Sequence, residues 1–315
     1  MQIGIVLPNL GPLATPDAMI AIAERAEQQG FADVWTSDHL AVPIESQASY
    51  PYVRRSGVRL DPSHPIIDPM IALAGIATRT ERIRLGVSVY LAALRHPIVA
   101  ARLVASLDRL SRGRVCLGVG AGWIPEEYEM LGIAFRERGA VLDEHIACMR
   151  ALWTEPQPQF SGQYYQLENL GFEPKPVQSR LPIWVGGNSA PARRRAARAG
   201  DGWHVIDVPL PDLEVGIADL HRLCREAGRN PADVVVSMRA QVSLTPEPVA
   251  PADRFAPLIG TREQVIHDLR AMEALGVGHV ALWPAGRIDG LEHYLERIDE
   301  LASEVMPAIT GAASA

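Results

Sequence analysis

The stretch that decides the fold is ERIRLGVSVYLAALRHPIVAARLVASLDRLSRGRVCLGVGAGW, which occupies residues 81–123. It contains a β-rich run over Ile83–Leu91, a helical pattern over Ile98–Leu110 and a second strand over Arg114–Val119. A strand, a helix and a strand with short connections predict a βαβ unit, in which the strands are parallel and the crossover is right-handed. The second strand runs into the glycine-rich residues 118–122, at the end of a parallel strand where ligands bind.

The same alternation continues along the whole chain. Three segments repeat the order helix, glycine, short apolar strand: EQQGFADVWT, ARAGDGWHVI and EALGVGHVAL. The pattern predicts eight strands, each followed by a helix, and eight such units indicate a closed (β/α)8 TIM barrel rather than an open, doubly wound sheet. The predicted strands are 2–7, 31–36, 83–91, 114–119, 182–185, 203–206, 234–244 and 277–283. The predicted helices are 16–29, 68–79, 98–110, 138–153, 190–199, 213–227, 261–275 and 291–305.

Two segments interrupt this rhythm. Residues 41–65 form a long polar loop after the second strand, and residues 156–181 form a second insertion in which FSGQYYQL resembles a hairpin. Long irregular segments inside a compact domain are commonly lids or binding loops, so both are expected to wall a pocket. The chain is predicted to be a single domain over residues 1–309 with a disordered tail over residues 310–315.

Composition excludes several classes of function. The 315-residue chain has a net charge of −7 and no long basic run, which argues against a nucleic-acid partner. No apolar stretch is long enough to predict a membrane span, and the N-terminal residues MQIGIVLPNL are not expected to form a signal peptide. The three cysteines are widely spaced, which predicts neither a disulfide framework nor a metal site and favours a reducing compartment. A cytoplasmic enzyme is therefore expected.

The tetrapeptide TSDH ends the second predicted strand, at the edge where barrel active sites lie. Within it, His39 follows Asp38 directly. Because the unperturbed pKa of histidine is near neutrality, His39 is a candidate general acid or base. A structural Asp–His contact is the alternative, and the strand-end position favours a role in the site.

Two glycine-rich segments end later strands. Gly120, Ala121 and Gly122 follow the fourth strand, where glycines let a ligand approach the backbone. The segment Gly186–Gly187–Asn188–Ser189 joins the fifth strand to a helix, and backbone N–H groups at a helix N-terminus bind anions. This second segment is the best phosphate-binding candidate, with a simple capping loop as the alternative.

Taken together, the motifs resemble the luciferase-like monooxygenase superfamily, and more narrowly its deazaflavin (coenzyme F420)-dependent oxidoreductases. The resemblance extends in order over nearly the whole chain. It is carried by TSDH at 36–39, RIRLGVSV at 82–89, RHP at 95–97, LDRLSRGRVCLGVGAGW at 107–123, RALWTE at 150–155, PIWVGGNSAPARRRAARAGDGW at 182–203 and GTREQVI at 260–266.

The resemblance implies a cofactor at the carboxyl ends of the barrel strands. Asp38 and His39 match the motif that contacts the deazaflavin ring, and Ser88–Val89 match the place where the family carries a non-prolyl cis peptide behind the ring. The segments 120–122 and 186–189 match the residues that line the cofactor and bind its phosphate. Sugar-phosphate dehydrogenases of the superfamily carry an acid where Trp123 stands, a departure that argues against that chemistry.

The resulting hypothesis is an F420-dependent oxidoreductase that transfers a hydride between the deazaflavin C5 and a small organic substrate. His39 is predicted to donate the proton or to contact the ring, and Asp38 is the second catalytic candidate. Tyr50, His96, Trp123 and His204 are expected around the substrate. The alternatives are an FMN-dependent monooxygenase, which uses oxygen and a separate reductase, and a cofactor-free binding protein. The FMN branch often has a phosphate-contacting arginine near Ala121, and its absence favours F420. A homodimer is expected by analogy.

Overall fold

A computed structural model describes residues 1–45, 48, 51 and 60–311. Its strands are β1 Gln2–Val6, β2 Asp33–Thr36, β3 Arg84–Tyr90, β4 Val115–Val119, β5 Phe160–Ser161, β6 Gln166–Leu167, β7 Ile183–Gly186, β8 Gly202–Ile206, β9 Val235–Leu244, β10 Leu258–Gly260 and β11 Val277–Pro284. Its α-helices are α1 Pro16–Gln28, α2 Pro69–Ala77, α3 Pro97–Leu110, α4 Pro125–Glu129, α5 Arg138–Thr154, α6 Ala190–Ala199, α7 Leu210–Glu226, α8 Arg262–Ala274, α9 Leu291–Glu300 and α10 Met306–Thr310, with a π-helical turn at Leu301–Val305.

Eight parallel strands close into a barrel in the order β1, β2, β3, β4, β7, β8, β9, β11 and back to β1. Ile5 pairs with Val34 of β2 on one side, and on the other side β1 pairs with β11. The pairing of His204 with Ser237 joins β8 to β9. The predicted (β/α)8 TIM barrel is therefore confirmed, because each strand buries both faces and each following helix covers the outer one.

The alternation of the strands divides the core in two. Outward-facing side chains such as Ile5 and Val34 pack beneath the helices in the large core cluster. Inward-facing side chains form a separate small cluster inside the barrel, which contains Trp35 and Trp184. Glycines make room for these two rings, since a Cβ at Gly86 would lie 2.4 Å from the Trp35 ring. The barrel is thus filled rather than hollow.

Local signals in the sequence place most helix ends correctly. Thr15 caps α1 by accepting from the Ala18 N–H, and Thr261 forms a capping box with Gln264 at the start of α8. The helical C-terminus extends further than predicted. The last helix was expected to end at residue 305, but α10 follows it, and residue 310, assigned to the tail, is the last residue of α10. Residues 312–315 lie outside the described residues, and the single domain over residues 1–309 stays a prediction.

The two insertions occupy the expected places. The FSGQYYQL segment forms the antiparallel pair β5–β6, as predicted. The first insertion is described at residues 41–45, 48, 51 and 60–65, and an isolated bridge joins Leu10 to Ile66 just beyond it. Strand β10, which pairs with β9, was not expected, since three residues carry too little periodicity to be recognised. Within the described residues, no helix has the length and hydropathy needed to cross a membrane.

Candidate active site

A cavity of about 510 Å³ opens at the carboxyl ends of the barrel strands. Its wall contains candidates from each strand end predicted to matter, so the fold brings together segments far apart in sequence. The predicted residues that border it are Asp38, His39, Ser88, Val89, Gly120, Ala121, Gly122, Trp123, Gly186, Gly187 and Ser189. In the described part of the chain, no group of three His, Cys, Asp or Glu residues has the arrangement of a metal site.

His39 is held by a carboxylate that sequence reasoning missed. Its Nδ1 lies 2.9 Å from Oε2 of Glu127, whose other oxygen accepts the Leu40 N–H at 2.8 Å. A carboxylate that already takes a backbone N–H is an acceptor, so His39 carries its proton on Nδ1 and presents Nε2 to a ligand. The edge of its ring meets the Trp123 ring, with centroids 5.9 Å apart. These contacts hold the His39 ring in one orientation at the cavity wall.

Glu127 belongs to a short acidic run, PEEYE at 125–129, which on its own indicates only the first turn of a helix. It lies in α4 and is 2% exposed, beside the buried Tyr128, whose hydroxyl donates to the carbonyl of Ala121. An acidic side chain is rarely buried without a partner, but burial in a five-residue helix cannot be read from periodicity. The tertiary contact with His39 gives Glu127 its role.

Asp38 has a different environment from its neighbour. Its carboxylate accepts two hydrogen bonds from Arg95, at 2.6 and 2.9 Å, and a third from the Leu91 N–H at 2.8 Å. Such a bidentate arginine pair fixes geometry strongly. Arg95 also contacts Asp68, the N-cap of α2. Asp38 therefore ties the ends of β2 and β3 and the start of α2 together at the cavity wall.

The Ser88–Val89 segment forms the bulge expected from the resemblance. The peptide bond between these residues is cis, and the register of β3 with β4 shifts between Val87 and Tyr90. The Val89 side chain enters space left by two glycines, since a Cβ at Gly120 or Gly186 would lie 2.3 or 2.4 Å from its methyl groups. These two glycines thus make room for Val89 as well as bordering the cavity.

Arg239 is a second residue that sequence reasoning missed. It lies on β9, is 7% exposed and borders the cavity. Its Nη1 donates to the Ser37 hydroxyl at 2.8 Å and to the Ser88 carbonyl at 2.9 Å, and its guanidinium covers the Trp283 ring. A charged residue in the middle of a predicted strand is a signal that was available in the sequence. It provides a fixed cation next to the bulge.

Cationic side chains gather where the cavity meets the start of α6. Arg136, Arg138 and Arg195 border the cavity together with Gly187 and Ser189. Among the described residues, the buried Nε of Arg138 has no hydrogen-bond partner. Backbone N–H groups at a helix N-terminus together with guanidinium groups form an anion site. An anionic group such as a cofactor phosphate therefore fits this end of the cavity.

The residues of the predicted phosphate loop have different roles in the structure. The Ser189 side chain caps α6 by accepting from the Ala192 N–H, the alternative role considered for it. The Asn188 side chain exchanges two hydrogen bonds with the backbone of Ile206, at 2.8 and 3.0 Å. Asn188 does not border the cavity; it fastens the loop to β8, while Gly187 and Ser189 face the cavity.

Three predicted substrate residues lie away from the cavity or outside the described residues. His96 is exposed at the start of α3, where its Nδ1 accepts from the Ile98 N–H and its ring edge meets Tyr165. It caps a helix, and the described structure does not bring it to the cavity wall. His204 is fully buried inside the barrel, with Nε2 2.8 Å from the Ser88 hydroxyl. Tyr50 lies outside the described residues.

The first insertion and the neighbouring strand ends supply the remaining wall. The described residues there are mostly apolar: Leu10, Val42, Leu60, Ile66, Leu91 and Trp283, with Asp61 and His64 as polar members. Loops that close over the carboxyl end of a barrel commonly select its substrate. The expected wall role of the first insertion agrees with this placement. The second insertion, residues 156–181, was expected to wall the same pocket, but none of its residues, all of which the structure describes, borders the cavity.

Comparison with known proteins gives a consistent family assignment. The family model described as luciferase-like monooxygenase matches residues 1–259. An uncharacterized protein of Mycobacterium tuberculosis is 36% identical over 210 residues, which cover 67% of this chain and 72% of the relative. An F420-dependent glucose-6-phosphate dehydrogenase of Kineococcus radiotolerans is 31% identical over 264 residues, which cover 80% of this chain and 73% of the relative.

Solved structures share the same fold at lower identity. The monooxygenase RslO1 from Streptomyces bottropensis has a TM-score of 0.79 at 23% identity and covers 98% of this chain and 99% of its own. An F420-dependent secondary alcohol dehydrogenase has a TM-score of 0.78 at 20% identity and covers 98% of each chain. At these identities the structures show a common barrel. The match over residues 1–259, together with the relatives in sequence, establishes that this chain belongs to the luciferase-like monooxygenase family of oxidoreductases.

Proposed function

We propose that this protein is an F420-dependent oxidoreductase that transfers a hydride between the deazaflavin and a small organic substrate. The observation that carries the proposal is a single cavity bordered both by the His39 imidazole, which Glu127 orients, and by an anion site at the start of α6. A proton-transfer group and an anchor for an acidic tail are the two functions that a redox site for a phosphorylated ring requires. The F420-dependent relative from Kineococcus supports the choice of cofactor.

The residues around the cavity would have separate roles in binding the cofactor. Gly187, Ser189 and Arg138 would hold the cofactor phosphate, while the Ser88–Val89 bulge would support the ring and Arg239 would place a positive charge beside it. When bound, the deazaflavin supplies a carbon centre that gives or takes a hydride. The protein therefore has to position the reactants, exclude water and manage one proton.

That proton is assigned to His39. A carbonyl compound that accepts a hydride on carbon needs a proton on oxygen, and His39, in the form that carries a proton on both ring nitrogens, would deliver it from Nε2. In the reverse direction the same nitrogen would remove the proton of an alcohol. The Glu127 carboxylate keeps the His39 ring in one orientation. Asp38 acts with Arg95 as a positioning residue in this proposal, because its oxygens already accept three hydrogen bonds.

The cofactor assignment is tested by fluorescence titration of the purified protein with F420 and, separately, with FMN. F420 is expected to bind more tightly. Tighter binding of FMN would replace the proposal by an FMN-dependent monooxygenase, and binding of neither would leave a cofactor-free binding protein. Arg138→Gln should weaken F420 binding, whereas Arg222→Gln, which alters an exposed arginine on α7 paired with Asp219, is the control and should leave it unchanged.

The reaction type is tested with reduced F420 and a panel of aldehydes and ketones, with and without oxygen. Hydride transfer predicts oxidation of F420 and formation of an alcohol, at the same rate in both atmospheres. A requirement for oxygen, with incorporation of one oxygen atom into the product, would contradict the proposal.

A further inference from the structure

A continuous chain of buried polar side chains runs through the barrel interior from Ser88 to the other end of the strands. The Ser88 hydroxyl lies 2.8 Å from Nε2 of His204, and Nδ1 of His204 lies 2.7 Å from the Ser237 hydroxyl. That hydroxyl lies 2.7 Å from Nδ1 of His279, whose Nε2 lies 2.8 Å from Oδ1 of Asp33. The five residues are between 0% and 3% exposed.

The barrel is built to accommodate this chain. His204, Ser237 and His279 face inward at one level, because Ser237 pairs in register with His204 on one side and His279 on the other. Asp33 reaches His279 past β1 only because residue 4 is glycine: a Cβ there would lie 1.7 Å from Oδ1 of Asp33. The Trp35 ring stacks on His204, with centroids 5.1 Å apart, and helps to exclude water.

The charge of Asp33, at the far end, determines which group donates in each hydrogen bond of this chain of side chains. Asp33 accepts from Arg84 at 2.6 Å and from the Trp35 indole at 2.6 Å. Burial raises the pKa of Asp33, but the contacts with His279, Arg84 and Trp35 outweigh it and lower the pKa to about 2. Asp33 is therefore a carboxylate, and His279 must donate to it from Nε2.

The buried state of His204 sets the remaining donors and acceptors. Burial lowers the pKa of His204 to about 3, so this ring is neutral and carries a single proton. In the arrangement in which His279 donates to Asp33 and accepts on Nδ1 from the Ser237 hydroxyl, the Ser237 oxygen accepts from Nδ1 of His204. His204 then accepts on Nε2 from the Ser88 hydroxyl.

We propose that Asp33, through His279, Ser237 and His204, is a positioning residue that fixes the Ser88 side chain as a hydrogen-bond donor directed down the barrel. Ser88 is then anchored from two sides, by His204 at its hydroxyl and by Arg239 at its carbonyl. The peptide between Ser88 and Val89 is thereby presented to the cavity in one orientation. This inference rests on the proposed function, because the bulge is taken to support the cofactor ring.

The direction of the chain is measured by NMR of ¹⁵N-histidine-labelled protein without cofactor, since the shifts of the two ring nitrogens report the tautomer. His204 and His279 are assigned with His204→Gln and His279→Gln. We expect the Nδ1–H form at His204 and the Nε2–H form at His279. An Nε2–H form or an imidazolium at His204 would overturn the proposal.

The coupling is tested at Ser237, which does not border the cavity in the described part of the chain. Ser237→Ala breaks the link, so the Nε2–H form should appear at His204 while His279 is unchanged. Ser237→Thr keeps the hydroxyl and should preserve both tautomers. A single unchanged tautomer at His204 in Ser237→Ala would refute the coupling. Gly4→Ala, which displaces the Asp33 carboxylate without removing a polar group, should disturb His279 as well.

The consequence for the bulge is measured as cofactor affinity. Loss of one buried hydrogen bond corresponds to about three- to tenfold weaker F420 binding in Ser237→Ala, with Ser237→Thr close to wild type. Wild-type affinity in Ser237→Ala, in a sample whose His204 tautomer has changed, would overturn the positioning role. Failure of the wild-type protein to bind F420 would instead contradict the proposed function, and the NMR result would stand separately.

Discussion

Nδ1 of His39 and Oε2 of Glu127 lie 2.9 Å apart although 88 positions separate the two residues in the sequence. The same carboxylate accepts the Leu40 N–H, so it secures both the ring and the backbone that follows it. Neither residue reaches the other through local structure. Their contact fixes the His39 ring at the cavity wall, and the first two predictions rest on it.

Removal of Glu127 is expected to destabilise the protein. Glu127→Ala leaves the Leu40 N–H and the His39 ring without their acceptor in a buried place, at a cost of about 1–3 kcal/mol in the free energy of unfolding. Glu127→Gln retains a carbonyl acceptor and should cost less. Urea denaturation measures both, and equal stability of wild type and Glu127→Ala would show that the contact does not hold this part of the fold.

Replacement of His39 is expected to affect turnover more than cofactor binding. His39→Gln removes the proposed proton donor, and general acid–base catalysis contributes about 10²- to 10⁴-fold to the rate. The kcat for a carbonyl substrate that the wild type reduces should fall within that range, with the Kd for F420 changed little. A kcat close to wild type would assign the proton to another group.

A charge placed at Ser189 tests the anion site with the helix cap retained. Aspartate and asparagine both cap helices well, so Ser189→Asp and Ser189→Asn should have similar thermal stability. Only the aspartate repels a bound phosphate, and we expect F420 affinity to fall by at least about tenfold in Ser189→Asp alone. Equal affinity of the two variants in a fluorescence titration would remove Ser189 from the anion site.

The steric fit between Gly120 and Val89 predicts an interaction between two substitutions. Gly120→Ala places a methyl group against the Val89 side chain, and overpacking of this kind costs about 1–3 kcal/mol. Val89→Ala removes the colliding methyls, so the double variant should lose less stability than the sum of the single losses. Strict additivity in denaturation experiments would contradict the contact.

Buried histidines make stability depend on pH. Burial lowers the pKa of His145 to about 4 and that of His204 to about 3, whereas an unfolded histidine titrates near 6.5. Between these values the unfolded chain binds more protons, so the free energy of unfolding decreases as the pH falls from 6.5 towards 4. Each histidine contributes about 1.4 kcal/mol per pH unit over that interval.

The histidine contribution is measured by urea denaturation at several pH values. His145→Gln should reduce the dependence of the unfolding free energy on pH by about 1.4 kcal/mol per pH unit, because glutamine does not titrate. Its amide can still donate to the Arg95 carbonyl that His145 contacts. An unchanged slope in His145→Gln would show that His145 does not titrate in this way.

The sequence by itself determined the order and nature of the barrel elements. Periodicities of two and 3.6 residues, helix caps such as Thr261 and glycines after helices are local signals, and each depends on only a few neighbouring residues. The same signals indicated which strand ends border the cavity. The cis peptide at Ser88–Val89 was expected from the resemblance and is present.

Only the tertiary structure decided which polar side chains meet. Glu127 reaches His39, Asp33 reaches His279 beneath Gly4, and His96 turns away from the cavity to cap α3. These outcomes depend on barrel closure, which sets the register of strands far apart in the sequence and the direction of each side chain. A local pattern gives the alternation along one strand, but it contains no information about which residue of another strand lies opposite.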